Sequence, residues 1–499
     1  MIPLIMSPQT TLFVLIIYFG VLFFISWRTS RGATTETFFT ANRNAPWYLV
    51  AFGMIGASLS GVTFISVPGQ VGTGAFSYMQ IVFGYLLGYL VIATILLPLY
   101  YKHNLTSIYE YLNTRFGFWS YKTGASFFIL SRVIGSAFRL FLAAGVLQIF
   151  LFEPLGIPFE VAVLVTILLV LLYTFQGGIK TIIWTDTLQT LFMLLAVGIT
   201  IIIIGRELGL NSISEIYTSV SDSSMSKIFF WDIDTPKNFY KQFLGGAFIA
   251  ITMTGLDQDM MQKNLSCKTL EESQKNIFWF SIVLVFVNLL FLAMGALLYM
   301  YAQTKGIEIP ARTDDLYPMI AQRHLPAFAG ILFLIGIIAA AYSSADSALA
   351  ALTTSFCVDF LGFKEYKDAM TEKEYTTQEQ TKKSTRLKVQ VGFSAVLFFV
   401  ILAFHYYNDR SVIDGIFTAA GYTYGPLLGL YAFGMFTKIE IKDKFTPFIC
   451  VIAPILTYAI VYFVNNPDYF TLLGNYKIGY EAILINGGLT FLGLLLAKK

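Results

Sequence analysis

Charged residues are scarce in this sequence. Asp, Glu, Lys and Arg make up 13% of its 499 residues, whereas 56% of the residues are hydrophobic and the mean hydropathy is +0.67. A typical soluble domain carries about 25% charged residues. The composition therefore excludes a soluble enzyme or binding domain and indicates a protein whose solvent is the lipid bilayer.

Cysteine and histidine are also scarce, with three residues of each type. They are scattered along the chain at Cys267, Cys357, Cys450, His103, His324 and His405. Neither set has the spacing of metal ligands and no cysteine pair stands out, so we expect free and mostly buried thiols. Because no nucleophile, acid-base pair or metal cluster is apparent either, the sequence predicts that the protein is not an enzyme.

A basic region before the first apolar run is absent as well. That run, residues 12–27, is followed by Arg28 and Arg31. The pattern favours a retained membrane span over a cleaved secretory signal.

What the chain does contain is about thirteen segments, each with roughly 17 to 25 apolar residues, which is enough to cross a bilayer as a helix. They lie at roughly residues 11–27, 47–72, 76–101, 124–152, 159–175, 181–205, 239–261, 277–301, 326–360, 389–406, 412–436, 445–464 and 482–497. The alternation typical of barrel strands is missing. The predicted fold is an all-α, polytopic membrane protein.

Basic residues are distributed unevenly over the loops between these spans. One side has about 22 Lys and Arg residues, among them Lys263 and those of residues 364–388, and the other side has about nine. Because cytoplasmic loops carry the basic excess, we expect the N-terminus outside, the C-terminus in the cytoplasm, and a location in the plasma (inner) membrane. The longest polar stretches, 211–240 and 362–388, are loop-sized, and the second is expected to be solvated with some helix.

Two spans contain glycine and polar residues at their centres. The second includes Gly53, Gly56 and Gly61, and the seventh includes Gly255 and Asp257. Interrupted spans about five helices apart indicate an inverted-repeat transporter, in which unwound helices expose carbonyls to ions and substrate. Glycine alone fits equally well with close helix packing.

The ninth span places Ser343, Asp346 and Ser347 on one helical face, and Asp186 lies near the start of the sixth span. A carboxylate within a span costs at least about 2.5 to 3.5 kcal/mol on insertion scales, so it should face a partner, a cavity or an ion. Hydroxyl and carboxylate oxygens suit a hard cation such as sodium. A lone serine would more often bond to the preceding turn, but a cluster is harder to explain in that way.

Four stretches form a set with a recognisable order and spacing: residues 58–68 (SLSGVTFISVP), 173–186 (YTFQGGIKTIIWTD), 255–262 (GLDQDMMQ) and 340–344 (AAYSS). Together they resemble the sodium/solute symporter family, which includes sodium-coupled sugar, proline, choline, iodide and sialic acid carriers. The resemblance covers nearly the whole chain. It implies a sodium-coupled symporter that imports a small organic solute by alternating access, with sodium, the solute and the bilayer as partners and with no nucleic acid or obligatory protein partner.

The resemblance also implies an organisation. A five-plus-five inverted-repeat core at 45–436, with broken first and sixth core helices, would follow an extra helix and loop at 1–44 and precede two helices at 437–499. A proton-coupled carrier of the same fold, or a sensor or channel without coupled transport, is the alternative.

Sodium sites follow from the same resemblance. The principal site would use the carbonyls of Gly56, Leu59 and Ala340 with the hydroxyls of Ser343 and Ser344. A second site, present in some members only, would use Asp186, Ser343 and Ser347, with Asp346 at a position that can be serine elsewhere. The extra carboxylate would tighten a second cation, admit a proton, or pair with a neighbour, and the sequence does not choose among these.

The solute is expected in a central cavity that contains Ser58, Ser60, Thr63 and Gln80. Ala250, Met253 and Phe417 stand where a galactose transporter of the family has polar binding residues, which speaks against sugars.

Arg132 and Arg139 lie seven residues apart, on one face of the fourth span. Either could hold a substrate carboxylate in a bidentate fork. Alternatively, each pairs with an internal aspartate or reaches the interface. The sialic acid carriers have their arginine one turn away, where this chain has Gly135.

Overall fold

The computed structural model describes residues 8–31, 33–175, 178–363, 372–407, 412–466 and 476–499. These residues are almost entirely helical and contain no β-strand beyond two isolated bridges, Ala45 with Cys267 and Ile441 with Lys498. Gln176 and Gly177 of the second family-like stretch, and 364–371 of the predicted polar loop, lie outside the described residues.

An N-terminal helix and the first set of core helices occupy the chain up to residue 207. They are α1 (Pro8–Thr29), α2 (Thr35–Thr40), α3 (Trp47–Gly74), α4 (Tyr78–Val91), α5 (Leu97–Lys102), α6 (Glu110–Arg115), α7 (Phe118–Leu147), α8 (Phe159–Thr174) and α9 (Gly178–Glu207). A π-helical turn, Ile92–Leu96, makes α4 and α5 one continuous rod.

The second set and the C-terminal helices complete the chain. They are α10 (Ile213–Ser221), α11 (Phe239–Ala250), α12 (Gln258–Asn264), α13 (Leu270–Lys305), α14 (Leu316–Arg323), α15 (Ala327–Ser355), α16 (Glu372–Tyr407), α17 (Val412–Thr423), α18 (Gly425–Phe436), α19 (Thr446–Asn465) and α20 (Ala482–Leu496).

Helix length and apolarity match a membrane protein. Within the described residues, nine helices are long and apolar enough to span a bilayer, and α8, α18 and α20 are shorter apolar helices. The interrupted pair α11 and α12 occupies the position of the predicted seventh span. The all-α, polytopic prediction is confirmed, while the count of thirteen spans stays a prediction.

Both predicted interruptions are present. In α3 the backbone leaves helical geometry at Ser60, where φ is 39° and ψ is 171°. Between α11 and α12, a π-helical turn at Ile251–Gly255 precedes Leu256 and an extended Asp257. The glycines nearby serve packing, because a Cβ on Gly56 would lie 2.2 Å from Thr190 Oγ1 of α9. Both interpretations of the second span therefore apply: the helix is interrupted at Ser60, and Gly56 allows close packing against α9.

Two basic residues that the sequence assigned to cytoplasmic loops are buried instead. Lys263 on α12 is 1% exposed, and Arg386 is also 1% exposed, with its guanidinium 4.0 Å from the ring centre of Phe38. Arg386 belongs to α16, which begins at Glu372, inside the predicted 362–388 loop. The sequence analysis placed both residues in loops because a charged side chain is expected in water unless a buried partner is known. Hydropathy does not reveal such partners.

Candidate functional site

A small cavity of about 90 Å³ lies at the centre of the helix bundle, between the interrupted α3 and α11 and the helices α4, α7, α13 and α17. Its polar lining includes Ser58, Ser60, Thr63, Tyr78, Tyr85, Tyr89, Arg132, Arg139, Thr254 and Asn288, and its apolar lining includes Ala250, Met253 and Phe417. Five of the six residues that the sequence predicted for the solute therefore lie together, as do the three apolar replacements.

Gln80 is the exception, since it does not line this cavity. Its amide nitrogen donates to Gln242 Oε1 at 2.7 Å and to the Lys237 carbonyl at 2.9 Å, and its amide oxygen accepts from the Phe230 backbone N–H at 3.1 Å. The side chain is fully buried by these contacts. It ties α4 to α11 and to the segment before α11, and it therefore lies outside the cavity in which the sequence analysis placed it.

The break in α3 faces α15. A non-helical residue interrupts the ladder of helical hydrogen bonds, so the carbonyls of the turn before Ser60 lose backbone partners. One of them, Ala57 O, accepts from Ser344 Oγ at 3.1 Å, and Ser344 Oγ is also 3.4 Å from Ala340 O. The groups predicted for the principal sodium site thus come from two helices in contact, and all of them are uncharged.

A second polar cluster lies beside this one and contains charges. Asp186 on α9 is fully buried, and its Oδ1 accepts from Ser343 Oγ at 2.6 Å. Its Oδ2 lies 2.7 Å from Lys263 Nζ. Lys263 was missed as a site residue, although it follows the family-like stretch 255–262 directly and could have been placed in the core on that ground.

Asp346 and Ser347 complete this cluster. Asp346 Oδ2 accepts from Tyr173 O–H at 2.9 Å, and its Oδ1 accepts from the Ser347 backbone N–H at 2.6 Å. Ser347 Oγ is 3.0 Å from Ser343 O and 3.2 Å from Asp259 Oδ2. Of the three alternatives for Asp346, the geometry matches pairing with a neighbour.

The two arginines of α7 have different surroundings. Arg132 forms ion pairs with Asp259 and, at 3.7 Å, with Asp257, and both carboxylates are fully buried. Asp257 also accepts from Tyr424 O–H and from the backbone N–H groups of Asp259 and Met260, which caps α12. Arg132 therefore holds the second interrupted helix against α7, as the internal-pairing alternative predicts.

Arg139, two turns further along α7, makes no direct contact with a described carboxylate, although Asp257 is close enough to attract it. Arg139 is 9% exposed and lines the central cavity, and among the described residues it has no ion pair or hydrogen bond. Its Nε is buried without an acceptor. The guanidinium therefore keeps free N–H donors that face the cavity, and the geometry leaves this position open to an anionic ligand.

Asn288 on α13 is a lining residue that the sequence reading missed. It is 2% exposed, and its Nδ2 donates to Leu284 O at 2.8 Å, whereas its Oδ1 has no partner among the described residues. One asparagine within an apolar span is a weak signal, because back-bonding to the preceding turn explains it equally well.

A larger cavity of about 880 Å³ opens at the end of the molecule where α3 ends. Phe417 lines both cavities and separates them, with its ring 5.1 Å from that of Tyr480. Tyr480 in turn donates to Asp414 Oδ1 at 2.8 Å. At the opposite end, Ala45 and Cys267 form a backbone bridge and α12 is entirely buried.

Comparison with known proteins gives the same assignment as the motifs. The model of the sodium:solute symporter family matches residues 38–440. The sodium/sialic acid symporter NanT of Aliivibrio fischeri is 25% identical over 421 residues, which cover 82% of this chain and 79% of that protein. Sodium-coupled monocarboxylate transporter 2 of Homo sapiens is 24% identical over 443 residues, which cover 84% of this chain and 68% of that protein.

Two solved structures share the fold. A substrate-bound, outward-open sodium-coupled sialic acid symporter has a TM-score of 0.79 at 21% identity, with 98% of each chain covered. A nucleobase-cation-symport-1 family transporter in a closed conformation has a TM-score of 0.56 at 11% identity, covering 92% of this chain and 94% of that one. This likeness confirms the predicted transporter fold, with its two sets of helices that each begin with an interrupted helix.

Proposed function

Because the chain belongs to the sodium:solute symporter family and is a sodium-coupled symporter, we propose that its solute is a small organic anion whose carboxylate is held by Arg139. The observation that carries the proposal is the Arg139 guanidinium in the central cavity, whose buried Nε has no hydrogen-bond acceptor among the described residues. A carboxylate would supply two acceptors in the geometry that guanidinium prefers.

Arg132 is not available for this role. Two buried carboxylates neutralise it, and removing it from them would leave both uncompensated. Its place in the cavity lining gives it a supporting part, because it offsets one of the two negative charges of Asp257 and Asp259 near an incoming anion.

The rest of the lining defines the remainder of the solute. Ser58, Ser60 and Thr63 offer hydroxyl groups along one wall, and Asn288 Oδ1 offers an acceptor on another. Ala250, Met253 and Phe417 make the facing surface apolar, which disfavours a neutral polyhydroxylated sugar. The named solutes of the relatives described above, sialic acid and monocarboxylates, share the carboxylate that this reading requires.

Sodium would bind at the contact between the α3 break and α15. Its ligands in this proposal are the carbonyls of Gly56, Leu59 and Ala340 and the hydroxyls of Ser343 and Ser344. The support is the contact of Ser344 Oγ with Ala57 O, next to Gly56. All of these ligands are uncharged oxygens, which suit sodium. Such a site can release its ion during transport without leaving a buried charge behind.

The proposed topology follows the basic residues. The end with the 880 Å³ cavity would face outside, and the end with α12 would face the cytoplasm of a cell whose plasma membrane holds the protein. The inverted-repeat core would occupy 45–436, between an extra helix at 1–44 and two helices at 437–499. Movement of Phe417 and Tyr480 would then admit the solute from outside, and separation of α12 from α7 would release it inside.

Uptake by purified protein in liposomes tests the anion proposal. The probes are labelled lactate and sialic acid, each beside its uncharged methyl ester, with glucose as a neutral sugar and with an inward sodium gradient. We expect sodium-driven accumulation of at least one of the acids and of neither ester. Charge-assisted hydrogen bonds contribute about 1.5 to 3 kcal/mol, so Arg139→Gln should raise the half-saturating concentration at least about tenfold.

Arg206→Gln is the matched control, because it removes a positive charge from an exposed position at the end of α9 and should leave uptake unchanged. Transport of a neutral solute that is equally fast in wild type and in Arg139→Gln would contradict the proposal.

A further inference from the structure

The two oxygens of Asp186 are both occupied by groups of this chain. Lys263 Nζ lies 2.7 Å from Oδ2, and Ser343 Oγ lies 2.6 Å from Oδ1. Both charged side chains are buried, at 0% and 1% exposure. The ammonium group therefore lies among the residues that the sequence assigned to a second sodium ion.

We propose that Lys263 is a tethered cation that takes the place of a second sodium ion, so that this symporter binds and moves one sodium ion per cycle. The inference rests on the proposed sodium site at Ser343 and Ser344. In this proposal the second cation site, at Asp186, is occupied permanently by the ammonium group of Lys263.

Electrostatics favour the lysine over a free ion. The carboxylate of Asp186 and the ammonium group of Lys263 form a neutral pair at hydrogen-bond distance. A sodium ion within a few ångströms would be repelled by that ammonium group and would have Asp346 alone as an opposing charge in the cluster. A free ion also loses translational freedom when it binds, whereas Lys263 is held in place by α12.

The other expected ligands already have hydrogen-bond partners, and the nearest of these partners are uncharged. Asp346 accepts from Tyr173 at 2.9 Å and from the Ser347 backbone N–H at 2.6 Å. Ser347 Oγ bonds to Ser343 O at 3.0 Å. A sodium ion at this place would have to displace the ammonium group and compete with these donors.

The lysine is anchored independently of Asp186. Its helix is fastened to α7 through Arg132 and Asp259, and the Lys263 carbonyl accepts from Ser266 Oγ at 2.6 Å. Asp186 belongs to α9 and Ser343 to α15, so the Lys263 pair joins three helices where a sodium ion would otherwise join two. A tethered charge cannot dissociate into the cytoplasm and therefore contributes nothing to sodium flux.

Counting sodium ions on the purified protein without solute tests the proposal. Equilibrium binding of radioactive sodium chloride, with choline chloride holding the ionic strength, should give one ion per wild-type protein. Lys263→Ala frees Asp186 and should raise the count to two. In parallel, the increase in unfolding temperature per tenfold rise in sodium should become about twice as steep, because each bound ion contributes its own linkage.

Lys263→Arg is the matched control, since it keeps the cation and should retain one ion. Lys263→Met combined with Asp186→Asn removes both charges together and should also retain one, which covers the case in which Lys263→Ala alone does not fold. Two ions in wild type, or one ion in folded Lys263→Ala, would overturn the proposal. If Ser344→Ala kept the wild-type sodium binding and the wild-type increase in unfolding temperature, the principal sodium site would be contradicted instead. These measurements are made without solute, so they do not depend on its identity.

Discussion

The two interrupted helices differ in charge. The break in α3 at Ser60 is lined by hydroxyl groups and backbone carbonyls, and no ionisable side chain lies within 58–63. The break between α11 and α12 is followed at once by Asp257, Asp259 and Lys263, and each of these is in an ion pair. Two positions related by the repeat thus have opposite chemistry.

This difference in charge assigns a different role to each break: one would bind ligands, and the other would hold its helix against neighbouring helices. An uncharged break can take a cation or a solute and lose it again without leaving a buried charge behind. A break full of paired charges is bound firmly to its neighbours, and opening it requires those pairs to be broken or moved. The first break is therefore suited to the ligands and the second to the closure of one end.

The largest effect should come from the charged break. Arg132→Ala leaves Asp257 and Asp259 buried without their counter-ion, and breaking a buried pair costs about 3 to 5 kcal/mol. We expect the free energy of unfolding in detergent to fall by that amount. Exposed Arg206→Ala should change it by less than about 0.5 kcal/mol. If Arg132→Ala and Arg206→Ala lowered the free energy of unfolding equally, the ion pairs of the charged break would not be what holds it in place.

A smaller effect is expected on the packing side of the uncharged break. Gly56→Ala would place a Cβ 2.2 Å from Thr190 Oγ1, and overpacking of this kind costs about 1 to 3 kcal/mol. It should also raise the half-saturating sodium concentration, because the adjoining carbonyls shift. Gly56→Ala with Thr190→Ala should recover most of the loss, whereas Gly198→Ala, with open space around it, should cause none.

A substitution of Asn288 tests whether the cavity also recognises the solute through a hydrogen bond to an uncharged side chain. Asn288→Leu keeps the volume but removes the unpartnered oxygen. Loss of one hydrogen bond of about 0.5 to 1.5 kcal/mol should weaken solute binding about two- to tenfold. Sodium binding measured without solute should stay at the wild-type value. A change in sodium affinity alone would place Asn288 in the cation site instead.

The smallest effect concerns the backbone at the first break. Ser60 has a φ of 39°, which glycine adopts without a Cβ penalty. Ser60→Gly should therefore leave the free energy of unfolding unchanged or raise it by up to about 1 kcal/mol. Ser60→Val should lower it, since a β-branched side chain is poorly tolerated there. A loss in Ser60→Gly would mean that the hydroxyl contributes more than the backbone.

The sequence predicted those features that depend on local pattern. Apolar length located the helices, and interrupted spans located both breaks because glycine and polar residues within a membrane segment are conspicuous. It could not predict the partners of buried charges. Lys263 pairs with Asp186, the Arg386 guanidinium lies over the Phe38 ring, and both of these partners are distant in the chain. Gln80 lies outside the cavity because it bonds to Gln242 on another helix.

The Lys263 pair also bears on the energy available for uptake. A cycle that moves one sodium ion with one monocarboxylate transfers no net charge, so the roughly 2.3 kcal/mol per charge that 100 mV supplies drops out. A tenfold sodium gradient then provides about 1.4 kcal/mol, enough for about tenfold accumulation. Such a carrier would be indifferent to depolarisation, and it would run in reverse whenever the solute ratio exceeded the sodium ratio.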